Sequence, residues 1–369
     1  MAGCSSGTGD SQGVSSTEGP EAAGTGVPET AETALPSEEP ADYTDRIIML
    51  SEEYEKVKID GRYTVIKNGI TCDWTASGIE FRADCRGDVV LTVKGAGGES
   101  ASAYFTVFVD GQRQKTRAKA ATSGTTELTI AKGLAVGLHE FRIFKQTYVK
   151  MARLNLYSLA ICGELRERPA DRKLYLEFIG DSITAGHGAL GGGGSAEYMD
   201  GTGTFAFKTA EALGSDFSMI CVDGIGVVKG YQTEHMIDIY GLTDKYRSAR
   251  TVYAAERIPD AVIINLGTND ATFSVGRDDF KAGVKELIEA VRSLYGDSVT
   301  VVWVYNSMRA DNGDFAVEAV SELGGSANGL YTLKLERDSS GGNGHPSDAG
   351  HTKNAQILTE FLKGIVTVA

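Results

Sequence analysis

One apolar stretch that ends in a glycine turn constrains the fold of this chain more than any other feature. Residues 174–186 read LYLEFIGDSITAG, and the first half predicts a buried parallel strand, because such apolar runs need helices over both faces. Ser182 follows at the point where this strand ends. In open α/β sheets ligands bind outside the carboxyl ends of the strands, so the Ser182 hydroxyl is a candidate nucleophile. The alternative is that Ser182 only caps the next helix.

Four later apolar stretches predict the remaining strands of the same sheet. Residues 217–222 lead into the turn DGIG, and residues 261–266 lead into GTND. Residues 299–305 and 330–335 follow, and the last of these precedes NGHP, which contains His345. Because parallel strands place their carboxyl ends at one edge of the sheet, we expect a nucleophile, hydrogen-bond donors and a general base to meet there.

The four sequence blocks resemble those of the SGNH (GDSL-type) hydrolases. GDSITAG, the glycine turn after the second strand, GTND and the late His-Pro occur in the order and spacing of that family. The preceding region, with CDW, SGIEF, YFTVFVDGQ and GLHEFRIFK, is similar to carbohydrate esterase family 2. This resemblance implies a jelly-roll domain ahead of the hydrolase domain and removal of acetyl groups from plant polysaccharides.

The resemblance also implies roles for individual residues. Ser182 is expected to attack the ester carbonyl, while His345 takes its proton and returns it to the departing sugar hydroxyl. The expected donors to the oxyanion are the backbone N–H groups of Ser182 and Gly226 and the side-chain amide of Asn269. Gly224 is the alternative to Gly226, because the sequence does not settle the register of that turn. In the simpler alternatives, Asn269 is a turn residue and His345 a surface histidine. No metal or other cofactor is expected.

One position departs from the pattern of the wider family, which places an aspartate three residues before the catalytic histidine. That position is Gly342 in this chain, and Asn343 cannot supply a negative charge. We therefore expect a backbone carbonyl to orient the histidine, which gives a Ser–His dyad. A carboxylate from Asp338 or Asp348 is the alternative. His351 is expected to lie on a helix face.

The N-terminal 44 residues differ in composition from the rest of the chain. They are rich in Ser, Thr, Gly, Glu, Ala and Pro and have few large apolar side chains, so we expect a disordered tail. Ala-Gly-Cys, which ends at Cys4, is similar to the end of a bacterial lipoprotein signal. It predicts a lipidated tether and a secreted or cell-surface protein. The alternative is an incidental cysteine.

The remainder divides into two predicted domains. Residues 45–168 contain short β-rich pieces separated by turns, including GIEFRADC, DVVLTVKG, TELTIA and HEFRIF, which are typical of an antiparallel β-sandwich. Residues 169–369 alternate strands with helices, as in a three-layer, doubly wound α/β fold of flavodoxin-like type. Apolar side chains at helical spacing over 280–294 predict one of these helices, and another follows the His-Pro turn. The short connection at 167–171 predicts that the two domains pack together.

Charge and hydropathy narrow the classes of partner. The formal net charge of -14 at pH 7 argues against nucleic acid, whose binders present a basic surface. No apolar run is long enough to span a membrane. An acetylated carbohydrate is the expected substrate, and a monomer is the expected state. The lack of a predicted lid helix favours a small acyl group, with a lipase or thioesterase as the enzymatic alternative.

Aromatic side chains offer a non-enzymatic alternative. Trp74 lies between strand-like pieces, and we expect it in the core of the sandwich, although tryptophan also serves as a platform for sugar rings. Together with Tyr198, Tyr231 and Tyr240 it would line a glycan-binding surface in a protein with weak or lost hydrolysis.

Overall fold

The computed structural model describes residues 42–246, 249–309 and 311–367. The described part of the chain contains an antiparallel sheet followed by a parallel sheet with helices, which confirms the predicted order of an all-β region before an α/β region. Within these residues, no helix combines the length and apolar character needed to cross a membrane. The predicted tail up to residue 41 and the predicted tether through Cys4 lie outside the described residues.

The antiparallel sheet has ten strands. They are β1 Asp45–Met49, β2 Lys58–Asp60, β3 Tyr63–Ile66, β4 Gly69–Cys72, β5 Gly78–Ala96, β6 Ser102–Val109, β7 Gln112–Arg113, β8 Ala118–Ala121, β9 Thr126–Lys145 and β10 Arg153–Leu165. The main path runs β3-β4-β10-β5-β9-β6-β7, while β1 pairs with β10, β2 with β5 and β8 with β6.

Two long strands replace four that the sequence predicts separately. GIEFRADC and DVVLTVKG both belong to β5, and TELTIA and HEFRIF both belong to β9. The β5–β9 register shifts around Gly87, which has a φ of 76°. At this position a bulge bends the strand, where the sequence suggested a turn that ends it. As a result β5 and β9 run through the whole region, and hydrogen bonds join all ten strands into one continuous, bent sheet.

The parallel sheet has five strands in the order β12-β11-β13-β14-β15. Their ranges are β11 Tyr175–Gly180, β12 Asp216–Cys221, β13 Ala261–Asn265, β14 Thr300–Tyr305 and β15 Leu330–Lys334. All five were predicted to within about a residue. Because the chain leaves β11 toward β12 on one side and later returns to β13 on the other, the order reverses at β11. A crevice for a ligand is expected outside the carboxyl end of such a strand.

Seven α-helices accompany this sheet in the described residues. They are α1 Ser182–Ala185, α2 Phe205–Leu213, α3 Met236–Tyr240, α4 Thr268–Thr272, α5 Arg277–Tyr295, α6 Gly313–Glu322 and α7 Asp348–Lys363. Short 3₁₀ turns occupy Tyr54–Lys56, Ala196–Tyr198, Gly201–Gly203, Gly325–Asn328 and Gly342–Gly344. Helix α5 confirms the prediction for 280–294, and α7 confirms the helix predicted after the His-Pro turn.

Trp74 and Phe144 of the antiparallel region belong to the same buried core as the parallel sheet. The Phe144 ring lies 5.4 Å from that of Phe207 on α2 and 5.5 Å from that of Phe217 on β12, measured between centroids. Trp74 is fully buried, and its indole N–H donates a hydrogen bond of 2.8 Å to the Thr243 carbonyl. Trp74 is therefore a core residue, as predicted, but the core that it fills lies between the two regions. The predicted packing of the regions is confirmed.

Candidate active site

Ser182 begins helix α1 directly beyond the end of β11, and it is almost entirely buried. The residue that caps this helix is Asp181, whose carboxylate accepts a hydrogen bond of 2.9 Å from the Ile183 N–H. Asp181 thus performs the capping role that the simpler alternative assigned to Ser182. The Ser182 hydroxyl is free for other contacts.

His345 supplies such a contact. Its Nε2 atom lies 2.9 Å from the Ser182 Oγ atom. The histidine follows the 3₁₀ turn Gly342–Gly344, which is fastened at both ends by backbone hydrogen bonds: Gly342 donates to the Gly188 carbonyl at 2.9 Å, and Gly341 donates to the His345 carbonyl at 2.8 Å. These bonds hold the imidazole against the hydroxyl from the opposite side of the crevice.

Neither of the carboxylates considered as a third catalytic member reaches His345. Both oxygens of Asp338 accept hydrogen bonds from Ser340 and Ser347. The exposed Asp348 pairs with Lys208 at 2.7 Å. The buried Nδ1 atom of His345 has no hydrogen-bond partner among the described residues.

The pKa of His345 is lowered to about 4. Burial is the main cause, and the neighbouring His187 acts in the same direction, whereas Asp223 and the nearby backbone carbonyls of Gly342 and Asn343 oppose the change. These carbonyls approach the ring without reaching hydrogen-bond geometry. The imidazole is therefore neutral at neutral pH, which is the form that can accept a proton from a hydroxyl.

Asn269 lies at the start of α4 and faces the same crevice. Its Nδ2 atom donates to the Asp181 carboxylate at 3.2 Å and to the Ile225 carbonyl at 2.8 Å. The amide therefore links the GDS turn to the DGIG turn, and it does not bond its own backbone as a simple turn residue would. Burial raises the pKa of Asp181 to about 8, against the hydrogen bond from Ile183.

The DGIG turn is held by Asp270, the residue after Asn269. The Asp270 carboxylate accepts hydrogen bonds of 2.7–2.9 Å from three successive backbone N–H groups, at 227–229. Gly224 has a φ of 74°, a conformation that favours glycine. A Cβ atom on Gly226 would lie 2.0 Å from the Lys229 carbonyl oxygen, so this position is sterically restricted to glycine.

The part of the chain that carries these residues matches a known family. Residues 178–353 match the GDSL-like Lipase/Acylhydrolase family. The chain contains a GDSL-like hydrolase domain. The predicted resemblance is thereby confirmed, and Ser182, Asn269 and His345 all lie within the matched residues.

The proteins most informative for comparison are carbohydrate esterases. The chain is 29% identical over 314 residues to the cellulase/esterase CelE of Acetivibrio thermocellus. This match covers 80% of this chain but only 38% of that protein. The chain thus spans less than half the length of this relative. It is 25% identical over 262 residues to the acetylxylan esterase / glucomannan deacetylase of Cellvibrio japonicus, covering 63% of this chain and 71% of that protein.

Solved structures of carbohydrate esterases also resemble this chain in fold. A family two carbohydrate esterase from Clostridium thermocellum in complex with cellohexaose superposes with a TM-score of 0.76 at 27% identity, covering 84% of this chain and 98% of that one. An acetyl xylan esterase, Est2A from Butyrivibrio proteoclasticus, shares the fold, with a TM-score of 0.77 at 18% identity over 87% of this chain and 98% of that one.

Two residues of the GDSL-like domain's crevice were missed by the sequence analysis. The His187 ring stacks on the His345 ring, with centroids 4.2 Å apart and an angle of 26° between their planes. His187 Nδ1 lies 3.3 Å from an Asp223 carboxylate oxygen, and its Nε2 lies 3.2 Å from Asn343 Nδ2. Asp223 opens the DGIG block, but nothing in that block marks its carboxylate as functional. His187 follows GDSITAG directly and lies outside the four blocks.

His187, Asp223 and His345 are also of a type that can bind a metal ion, with ligand atoms within 4.8 Å of one another. Tetrahedral coordination at about 2 Å requires nitrogen lone pairs that converge on one point. The stacked imidazoles direct their in-plane lone pairs side by side instead. One ring would have to turn before both could bind the same ion, so the arrangement fits a metal poorly.

The glycan-binding surface suggested as a non-enzymatic alternative is not assembled by the fold. Trp74 and Tyr240 are buried, and the Tyr240 hydroxyl donates to Glu177 beneath the sheet surface. Tyr198 is half-buried, and only Tyr231 is well exposed, with its ring edge against Phe273 at 5.0 Å. That part of the alternative is wrong, because two of the four rings serve the hydrophobic core.

Proposed function

We propose that this chain is a carbohydrate acetyl esterase, which removes O-acetyl groups from polysaccharides or oligosaccharides by Ser–His acyl transfer. The observation that carries the proposal is the 2.9 Å contact between Ser182 Oγ and His345 Nε2 at the carboxyl end of β11. A serine hydroxyl bonded to a neutral imidazole is the activated nucleophile that acyl transfer requires. The similarity to carbohydrate esterases supports the substrate class.

The mechanism follows from the positions of the two side chains. Ser182 attacks the acetyl carbonyl as its proton passes to His345 Nε2, and the carbonyl oxygen becomes an oxyanion. When the tetrahedral intermediate collapses, the C–O bond to the sugar breaks, and His345 returns the proton to the sugar hydroxyl. A water molecule then hydrolyses the acetyl-serine by the same two steps and releases acetate.

The proposed oxyanion donors are the Ser182 N–H, the Asn269 side-chain amide and a glycine N–H of the DGIG turn. Both N–H groups of the Asn269 amide have partners in this structure, so one of them must leave Asp181 or Ile225 to reach the oxyanion. For the glycine, the geometry favours Gly224 over the Gly226 named from the sequence. The Ile225 carbonyl points at the Asn269 amide. In a trans peptide the N–H of the next residue points the opposite way, so the Gly226 N–H is directed away from Asn269.

The proposed substrate is an acetyl ester on a glycan rather than a long acyl chain. The surface of the crevice near the nucleophile is formed by the short turns that follow β11, β12 and β13, and these carry polar groups such as Asp223 and Asn269. A fatty acyl chain would need an extended apolar groove. Relatives whose names refer to acetylxylan and glucomannan are consistent with a plant polysaccharide. A lipase or thioesterase activity remains the second candidate.

We further propose the domain organisation, the location and the oligomeric state of the enzyme. The bent antiparallel sheet, over 45–168, is a jelly-roll domain, and 169–369 form a doubly wound hydrolase domain whose strand order, 2-1-3-4-5, is that of flavodoxin-like folds. The tail before residue 45 tethers a secreted or cell-surface protein through a lipid on Cys4. The enzyme acts as a monomer.

Acetate release from a panel of acetylated glycans tests the proposal, together with acetyl and octanoyl nitrophenyl esters. The parent protein is expected to hydrolyse the acetyl esters, whereas Ser182→Ala and His345→Ala each lose activity by roughly a thousandfold or more with the fold intact. The matched controls are Ser326→Ala, at an exposed position in the turn before β15, and His139→Ala, on β9 of the antiparallel region. Faster turnover of the octanoyl ester would favour a lipase, and full activity of Ser182→Ala would reject the assignment.

A further inference from the structure

His345 lacks the bonded carboxylate that most serine hydrolases place beside their catalytic histidine. Gly342 replaces the expected aspartate, and Asp338 and Asp348 are bonded to other residues. Such a carboxylate orients the imidazole and stabilises the imidazolium that forms when the serine gives up its proton. The His345 imidazolium must therefore either form without this stabilisation or be stabilised by another group.

Asp223 is the carboxylate that comes near the imidazole. One of its oxygens lies within 4.8 Å of a His345 ring nitrogen, and the side chain is three-quarters buried. Burial alone would raise its pKa, but the hydrogen bond from His187, the neighbouring His345 ring and the nearby Tyr148 hydroxyl lower the pKa overall. Asp223 is therefore ionised at the pH at which an esterase would work.

His187 holds this carboxylate beside the catalytic ring. In the neutral tautomer with the proton on Nδ1, His187 donates to Asp223, and its Nε2 accepts from the Asn343 amide. This single neutral form satisfies both contacts, whereas a protonated ring would direct a second N–H at the Asn343 amide. A neutral His187 leaves the charge of Asp223 uncancelled. The same ring ties the turn after β12 to the loop that carries His345.

We propose that the Asp223 carboxylate, positioned by His187, supplies through space the negative charge that stabilises the His345 imidazolium. The inference rests on the proposed function of the Ser182–His345 pair. Asp223 accepts no proton in this scheme: the Ser182 proton moves to His345 Nε2 and later to the sugar oxygen, while Asp223 stays ionised throughout. Asp223 and His187 are thus positioning residues, and the hydroxyl and the imidazole do the chemistry.

Several other titratable groups lie near Asp223 and His345, and their effects on the His345 imidazolium differ from that of Asp223. Asp181 lies on the far side of Ser182 and carries the raised pKa described above, so at neutral pH it is largely uncharged. Tyr148 approaches Asp223 from the turn after β9, and its pKa is raised by burial, so it remains a neutral donor. His187 acts on the His345 pKa in the opposite sense to Asp223.

The test compares Asp223→Asn and His187→Gln with the parent, using kcat and KM for an acetyl nitrophenyl ester from about pH 3, below the His345 pKa of about 4, to neutral pH. For Asp223→Asn we expect kcat to fall by roughly tenfold to a hundredfold with KM nearly unchanged, as for a charge about 5 Å away in a partly screened site. The acid limb of kcat/KM should move to lower pH, because the imidazolium loses an attractive charge. His187→Gln removes the group that holds Asp223 and is therefore expected to lower kcat in the same direction.

Matched variants complete the design. Asp348→Asn removes an exposed carboxylate close in sequence to His345 and is expected to leave both the rate and the pH profile unchanged. Asp223→Glu is expected to recover part of the lost rate and to restore the acid limb. If Asp223→Asn does not fold, Tyr148→Phe, which removes only the hydroxyl that lowers the pKa of Asp223, is expected to give a smaller loss in the same direction.

NMR titration of the His345 ring protons provides a readout that does not depend on turnover. The His345 pKa is expected to fall in Asp223→Asn. An active parent whose rate and His345 pKa are the same in Asp223→Asn would overturn the inference and leave the esterase proposal standing. A parent inactive on every ester would instead reject the esterase proposal, and the NMR titration would still decide whether Asp223 acts on His345.

Discussion

Arg62 and Glu177 form a fully buried ion pair, with the guanidinium Nη2 3.3 Å from a carboxylate oxygen. Arg62 projects from the turn between β2 and β3 of the antiparallel region, whereas Glu177 lies in the middle of β11. The hydroxyls of Tyr240 and Tyr295 donate to the same carboxylate at 2.8 and 2.9 Å. Arg62 also donates to the carbonyls of Tyr240 and Leu242. The Arg62 side chain thus joins the two regions through its ion pair with Glu177 and its hydrogen bonds to two backbone carbonyls.

Replacement of Arg62 is expected to destabilise the whole protein. In Arg62→Met the carboxylate of Glu177 stays buried without its counter-ion, which typically costs about 3–5 kcal/mol. Urea unfolding at pH 7 measures the loss. The double variant Arg62→Met/Glu177→Leu should recover part of it, and Lys363→Met, which removes an exposed partner of Glu360, should change stability little. A single variant as stable as the parent would contradict the importance of the pair.

Replacement of Asn269 is expected to slow catalysis without weakening substrate binding. If its amide donates to the oxyanion, Asn269→Ala should lower kcat by roughly a hundredfold to a thousandfold and leave KM nearly constant. Steady-state kinetics on an acetyl nitrophenyl ester separate the two parameters. Asn328→Ala, in an exposed turn where the side chain bonds only the Leu323 carbonyl, is the control. A rise in KM at unchanged kcat would instead give Asn269 a role in binding.

The pH dependence of the reaction should follow the low pKa of His345. The base must be neutral to accept the Ser182 proton, and protonation begins only as the pH approaches about 4. We therefore expect kcat/KM to stay level from pH 7 to about pH 5 and to fall to half near pH 4. Samples returned to pH 7 should regain full activity, which excludes unfolding as the cause. A midpoint between pH 6 and pH 7 would mean that the site does not depress this pKa.

The free energy of unfolding should also decline in mild acid, because of a buried histidine that is not part of the Ser182–His345 pair. His351 on α7 is buried, its Nδ1 accepts from the Phe205 N–H at 3.2 Å, and burial lowers its pKa to about 4. Between pH 6.5 and pH 4 the unfolded chain binds a proton here that the folded chain does not. The folded state therefore loses up to about 3 kcal/mol from this group as the pH falls through that window.

The variant His351→Gln tests this linkage, because glutamine keeps a hydrogen-bond acceptor but does not titrate. The free energy of unfolding, measured at pH 7 and at pH 4.5, should differ less in the variant than in the parent. His345 contributes a similar dependence, so part of the slope should remain. An equal slope in both proteins would show that His351 is protonated in the folded state.

The parallel sheet and its order along the chain could be predicted from the sequence because the signals are local. A buried strand such as β11 appears as a run of apolar residues, and glycine marks its end. Ser182 and His345 could be named for the same reason, since each is embedded in a short block that resembles a known family. The bent strand β5 was misread as two strands, because Gly87 is compatible with either a turn or a bulge until the pairing partners are present.

The contacts that make the site work were decided only by the tertiary structure. Nothing local to His187 or Asp223 indicates that one ring stacks on His345 or that the other side chain lies beside it, because these contacts join turns far apart in the chain. The identity of the second oxyanion glycine depends likewise on the direction of one carbonyl. The amino-acid sequence by itself determined which groups are available at the sheet edge. Folding determined their distances, their burial and hence their charges, since each of these depends on residues that meet only when the chain is packed.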